Sequence, residues 1–201
     1  MLPHLQATAE ELSCSVHSLA VAMDERDLHT RHHCDRTSLI AQALGRRCGI
    51  DRTGLVQLGL AAAFHDVGKI GIPDRILYSP RRLEGEEWEM MRSHSERGER
   101  IFAESGHPYA GEVARLIRLH HESVDGSGYP DGLKGEAIPL GARILAIVDG
   151  YDAMTSHRPY QQARTHEEAM RVLFLERGRK VDVHLFDEFE RMMRAGGLRA
   201  Q

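Results

Sequence analysis

The chain has 201 residues, enough for one domain that buries roughly 70% of the surface its unfolded form exposes, so a core needs no covalent staple. With 41% hydrophobic and 28% charged residues, the composition excludes an intrinsically disordered chain. A net charge of −4 offers no electrostatic reason to bind long nucleic acid, so an anionic ligand has to be held by a local basic pocket.

The opening Met-Leu-Pro-His-Leu-Gln lacks the basic start and apolar stretch of a secretory signal, which leaves the cytoplasm as the expected compartment. Leu5, Leu12, Val16, Leu19 and Met23 then recur at steps of seven, four, three and four, the apolar stripe of an amphipathic helix over 5–23. Such a stripe packs on its own domain, forms a homodimer seam, or links to an upstream regulatory domain. We therefore divide the chain into a helix over 1–24, serving as linker or dimer element, and a main domain over 25–201. Further helical patterns cover 33–48, 53–66, 85–103, 110–122, 140–155, 165–177 and 182–194, and no alternating run is long enough for a strand. An all-α bundle of about seven to eight helices is expected. Gly49 ends one helix, Asp51 or Thr53 caps the next, and Gly106-His107-Pro108 separates two others. The two Gly- and Pro-rich stretches, 69–83 and 123–139, each follow a helix end that carries histidine, so loops there should border a site. The longest apolar runs, 58–64 and 144–148, fall well short of the roughly 18 residues of a membrane span.

Cys14, Cys34 and Cys48 are odd in number and match no zinc spacing, which suits free thiols. Histidine is the conspicuous residue, with 13 copies. His65 and Asp66 end a small-residue helix. Neighbouring helical positions point about 100° apart, but a carboxylate has two oxygens and can bridge two cations while the imidazole serves one of them. More candidate ligands recur at separated helical positions: His33, His94, the pair His120-His121, and Asp149. Imidazoles and carboxylates without thiolates suit iron, manganese or zinc.

Several segments, in order, carry a resemblance to a known family. They are Arg26-Asp27 with Thr30 and His33, His65-Asp66-Val67-Gly68-Lys69-Ile70-Gly71-Ile72-Pro73, and Glu87-Trp88 leading to His94. His120-His121-Glu122, Asp125-Gly126-Ser127-Gly128-Tyr129-Pro130-Asp131-Gly132-Leu133-Lys134-Gly135, and Asp149-Gly150-Tyr151-Asp152-Ala153-Met154-Thr155 with Arg158-Pro159-Tyr160 follow. The chain resembles the HD-GYP domain, the cyclic di-GMP phosphodiesterase branch of the HD superfamily. The resemblance implies a helical bundle holding two or three metal ions, iron first and manganese as the alternative. It also implies hydrolysis of cyclic di-GMP to the linear dinucleotide pGpG and onward to GMP. On this basis His33, His65, Asp66 and Asp149 are expected to hold one ion, and Asp66, His94, His120 and His121 the second. Such a centre activates water for in-line attack on phosphorus, with Lys69 adding positive charge on the phosphate. Arg158 is expected to contact phosphate, a structural salt bridge being the other reading, and Asp152 to orient the site. The Gly128-Tyr129-Pro130 loop implies a substrate contact through Tyr129 and a surface for a diguanylate cyclase partner; simple packing of the ring onto the bundle is the other reading.

Five positions depart from the family pattern. His29 stands where trinuclear members carry Glu, which puts the third ion in doubt and leaves His29, at i,i+4 from His33, either a substitute ligand or an exposed helix histidine. Asp24 stands for a Glu. Ser123-Val124 replaces Arg-Trp, and Gln161 replaces a basic residue, so fewer charge-assisted contacts remain for a dianionic cyclic dinucleotide. Two other readings follow: a catalytically weak module that binds the dinucleotide or a cyclase partner, and a phosphodiesterase for another cyclic dinucleotide.

Overall fold

The computed structural model describes residues 9–26, 30–156 and 162–196. Among them are ten α-helical segments and no strand: α1 (Ala9–Arg26), α2 (Thr30–Arg47), α3 (Arg52–Phe64), α4 (Asp74–Leu77), α5 (Gly85–Arg92), α6 (His94–Ala103), α7 (Ala110–Leu119), α8 (Leu140–Thr155), α9 (His166–Glu176) and α10 (Val183–Arg194). The expected helices are all present, with α4 added as a single turn and the helix expected over 85–103 divided in two.

The boundaries follow local chemistry. Gly49 takes a φ of 79°, which lets the chain leave α2, and the Asp51 side chain accepts the Gly54 amide to cap α3. Thr165 and Glu168 form a reciprocal capping box on α9, and Asp182 accepts the His184 and Leu185 amides to start α10. Between α5 and α6 no glycine or proline breaks the chain. Instead the Ser93 hydroxyl donates to the Met90 carbonyl at 2.6 Å and accepts from Arg97 Nε at 3.0 Å, which stabilises a kink immediately before His94.

α8 lies at the centre of the bundle. Ile144, Leu145, Ile147, Val148 and Tyr151 are all buried, so the helix is apolar on most of its circumference. α2 packs on both α3 and α8, α7 on α3 and α6, and α10 closes the far side with Leu185, Phe186, Phe189, Met192 and Met193. On α1, Val16, Leu19 and Met23 pack against the core, while the side chains of Leu5 and Leu12 lie outside the described residues. Arg26, at its end, donates to the Ile72 carbonyl and pairs with Asp74, both at 2.6 Å, fastening α1 to the segment that follows Lys69.

The tightest approach links a 3-10 turn, Val67–Gly71, to α6. A Cβ on Gly68 would lie 1.8 Å from the His94 carbonyl oxygen and 2.6 Å from the Gly98 amide nitrogen. Only glycine permits this contact. It brings the backbone after Asp66 against the start of the helix that carries His94.

Candidate metal centre

Five segments converge on one end of the bundle. His33 comes from the first turn of α2, His65 and Asp66 from the end of α3, and His94 from the first position of α6. His120 and His121 follow α7, and Asp149 projects from α8. Two of the expected helices stop short of their ligands: α3 ends at Phe64 and α7 at Leu119, so Asp66 and His121 sit in turns. His33, His65, Asp66, His94 and His120 are buried; Asp149 and His121 are partly exposed.

The ring nitrogens are sorted by their partners. Nδ1 of His65 lies 2.8 Å from the Ala62 carbonyl, Nδ1 of His94 2.7 Å from that of Met91, and Nδ1 of His120 2.6 Å from that of Ile117. Each is an i−3 contact at a helix end, and a carbonyl can only accept, so each Nδ1 carries the hydrogen. The other nitrogen, Nε2, is turned into the site. His33 is held by a carboxylate instead, with Nδ1 2.7 Å from Asp152 Oδ2. Arg36 fixes Asp152 in turn through Nε at 2.7 Å and Nη2 at 2.9 Å.

Around these rings two ligand groups form, His94–His120–His121 and His33–His65–Asp66, each with its donor atoms within 4.8 Å of one another. Asp66 lies between them: Oδ2 is 3.5 Å from His65 Nε2, and Oδ1 is 3.7 Å from His94 Nε2. Asp149 Oδ1 is 3.3 Å from His33 Nε2 and 3.6 Å from His65 Nε2. Lys69 places Nζ 2.6 Å from Asp66 Oδ2.

The donor set fits cations. His94 and His120 face each other through Nε2 atoms 3.4 Å apart, with both hydrogens committed to carbonyls on the opposite side of the rings. Burial, with neighbouring imidazoles adding to it in His120, lowers the pKa of both rings, so each presents a bare lone pair to the other. That arrangement repels unless a positive charge lies between. Burial and the neighbouring His94 likewise push His121 down to about 3. Burial opposes ionisation of Asp66, but Lys69, His65 and His94 outweigh it and hold the carboxyl well below its ordinary range. His33 and His65 do the same for Asp149 against its burial. These are the ligand-ready forms, neutral imidazole and ionised carboxylate. His33 differs: burial pushes it down, but Asp149 and Asp152 outweigh this and raise it to about 9.

Beyond the ligands, Glu122 is buried and accepts the amides of Asp131 at 2.7 Å and of Gly132 and Leu133 at 3.0 Å, which folds the following loop back over the end of α7. Ser123 is buried beneath Gly128, where a Cβ would come within 2.3 Å of the Ser123 amide nitrogen, and Val124 packs on the core. The Tyr129 ring is 4.8 Å from that of His121, with the Arg92 guanidinium 4.5 Å from its centroid. Both the substrate-contact and the packing readings of Tyr129 therefore have a geometric basis. The side chain of Asp24, and His29, Arg158 and Gln161 entire, lie outside the described residues. The sequence did not single out Arg36, Arg92 or the anchoring part played by Glu122. Their signals were the i,i+3 spacing of Arg36 from His33, the position of Arg92 two residues before His94, and the adjacency of Glu122 to His121.

A family model described as an HD domain matches residues 11–185. The chain belongs to the HD-domain family. A cyclic di-GMP phosphodiesterase of Thermotoga maritima is 40% identical over 153 residues, covering 76% of this chain and 42% of that protein. A 3'3'-cGAMP-specific phosphodiesterase of Vibrio cholerae is 34% identical over 187 residues, covering 93% of this chain and 35% of the relative. The HD domain described here thus spans less than half the length of these curated relatives. Among solved structures, one described as an HDG"Y"P protein from Bdellovibrio bacteriovorus superposes with a TM-score of 0.66 at 19% identity, over 82% of this chain and 52% of that one, and shares the fold. No helix of this HD domain, among the described residues, is long and apolar enough to cross a membrane.

Proposed function

We propose that this HD domain is a metal-dependent phosphodiesterase that opens cyclic di-GMP to the linear dinucleotide pGpG and carries it on to GMP. The observation that supports this most is Asp66, whose two oxygens face two separate histidine groups beside a Gly-Tyr-Pro loop stacked on His121. The reading assigns His33, His65, Asp66 and Asp149 to one ion and Asp66, His94, His120 and His121 to a second, iron first and manganese as the alternative. His29 is the candidate for any third.

When bound, cations at these positions supply Lewis acidity and lower the pKa of water. The protein's own part is positioning and charge. The carbonyl contacts and Asp152 keep the imidazoles aimed, Lys69 donates toward a non-bridging phosphate oxygen, and Arg158 carries a further positive charge for the substrate. The loop held by Glu122 keeps Tyr129 over the cleft. Residues 1–24 are assigned as a linker or dimer helix and 25–201 as the catalytic unit. A diguanylate cyclase domain or an upstream regulatory domain is the proposed partner, and the cytoplasm the proposed compartment.

The 34% identical relative named for 3'3'-cGAMP favours one second reading, a phosphodiesterase for a different cyclic dinucleotide. Protein purified without oxygen, with its metal quantified, is to be incubated with cyclic di-GMP, 3'3'-cGAMP and cyclic di-AMP. Turnover of cyclic di-GMP that a chelator removes and ferrous or manganous ion restores is the expected result. Two equivalents of metal per chain are expected, and Asp66→Ala should lose both metal and turnover while keeping its helical content. A fully loaded protein that binds cyclic di-GMP without hydrolysing it would make the chain a binding module instead.

A further inference from the structure

The segment before α5 and the first turn of that helix border a cavity of about 430 Å³ lined by Arg82, Leu83, Glu84, Gly85 and Trp88. Trp88 is 44% exposed, although an indole is ordinarily largely covered. Its ring lies edge-on to Tyr129 at a centroid separation of 6.5 Å, and Tyr129 in turn is 4.8 Å from His121. Two ring contacts therefore lead from this cavity to the metal ligands. The polar groups around the indole are uncommitted. Glu84 occupies the N-cap position of α5 but makes no capping bond, and among the described residues neither its carboxylate nor the Arg82 guanidinium has a side-chain partner.

An accessible indole that shares its cavity lining with one arginine and one glutamate matches a particular base. Guanine presents N7 and O6 as adjacent acceptors, which a guanidinium reads with two donors. On its other edge it presents N1–H and the 2-amino group as adjacent donors, which a carboxylate accepts together. The flat ring stacks on the indole face. Adenine would turn a bare N1 toward the carboxylate and an amino group toward the guanidinium, so like would face like.

We propose that this cavity is a guanine subsite, in which Trp88 stacks on one base of the cyclic dinucleotide while Arg82 and Glu84 read its edges. The proposal rests on the phosphodiesterase reading for its substrate and adds where one base lies and why it is guanine. Arg92, stacked on Tyr129, steadies the ring that joins the subsite to the centre.

Trp88 is the chain's single tryptophan, so tryptophan emission, excited beyond the tyrosine absorption band, reports this subsite alone. With metal-loaded protein in a stopped-flow instrument, cyclic di-GMP should quench the emission saturably within the first turnover. Cyclic di-AMP should need at least about tenfold more for the same effect. Trp88→Ala should raise KM for cyclic di-GMP about 5- to 150-fold with little change in kcat, and Trp88→Phe should recover most of the loss. Glu84→Gln should narrow the preference for guanine over adenine. An unchanged KM in Trp88→Ala, or steady fluorescence at concentrations that saturate turnover, overturns the subsite while leaving the phosphodiesterase reading intact. Quenching by cyclic di-GMP without hydrolysis does the reverse.

Discussion

Replacing Gly68 by alanine puts one methyl group where the backbone of α6 already stands. The added Cβ would meet the His94 carbonyl oxygen at 1.8 Å, whereas ordinary contact begins at 3.4 Å, so the turn and α6 must part by about 1.6 Å. Neither neighbour can swing aside, because both nearest atoms, the His94 oxygen and the Gly98 nitrogen, are backbone. Overpacking of this kind costs about 1–3 kcal/mol, which in a domain of this size lowers Tm by roughly 2–12 °C. The larger effect falls on the site, since the displaced helix carries His94, now 3.7 Å from Asp66. A misplacement of about 1 Å costs on the order of 100-fold in rate, and loss of metal should accompany it. Gly111→Ala is the control: Gly111 is helical and a Cβ there meets nothing within 4 Å, so that variant should equal or slightly exceed the parent in stability. Metal content by mass spectrometry, thermal unfolding and turnover are measured on all three proteins. A Gly68→Ala protein with parental metal content, Tm and kcat would refute the claim that this contact sets the spacing between Asp66 and His94.

Asp152→Asn should weaken metal binding about 10- to 100-fold in a chelator competition, because it removes the charge that holds His33 and pairs with Arg36; unchanged affinity would mean that His33 is aimed by something else. Glu122→Gln exchanges an acceptor oxygen for an amide that must face a backbone N–H, so unfolding stability should drop by about 1–3 kcal/mol, with faster amide exchange at 131–133. Exchange rates unaltered there would rule out the anchoring role. Burial opposes ionisation of Asp182, but the Leu185 amide, Arg143 and the His184 amide outweigh it and lower the pKa from 3.8. A carboxyl depressed on folding stabilises fully above its unfolded pKa and loses that contribution as pH falls below about 4. Asp182→Ala should therefore cost about 1–3 kcal/mol at pH 7 and progressively less in acid, as chemical denaturation across pH would report. A constant difference between the two proteins down to pH 2 would contradict this.

The helices could be read from the sequence wherever their ends carry their own chemistry, as at Gly49, Asp51, Thr165 and Asp182. The division at Ser93 could not, because its cause is a hydroxyl bonding back three residues, and serine does that at many helical positions without breaking them. For the site, His and Asp at helix ends could be recognised from residue type, since few other side chains offer such donors. What supports them was hidden by distance along the chain: Arg36 meets Asp152 across 116 positions. Glu122 left no mark of its own because an acidic residue beside two histidines reads as one more ligand, whereas its lone pairs are spent on backbone amides. The cavity at Trp88 was equally hidden, as no periodicity marks a residue left uncovered.

The scattered origin of the ligands governs the order of events when the chain folds. His33 and Asp149 stand on helices that touch only when α2 has packed on α8, and His94 and His121 meet only when α6 lies against α7. No single helix supplies enough donors to capture an ion early, since each group joins residues 26 or more positions apart along the chain. Collapse must therefore run on the apolar core alone, with the mutually repelling imidazoles a burden until it is done. An ion that enters afterward contributes nothing to the speed of that collapse and acts on the reverse step, slowing escape from the native state. In such a protein, metal supply would set how long a finished molecule lasts, not how fast it is made.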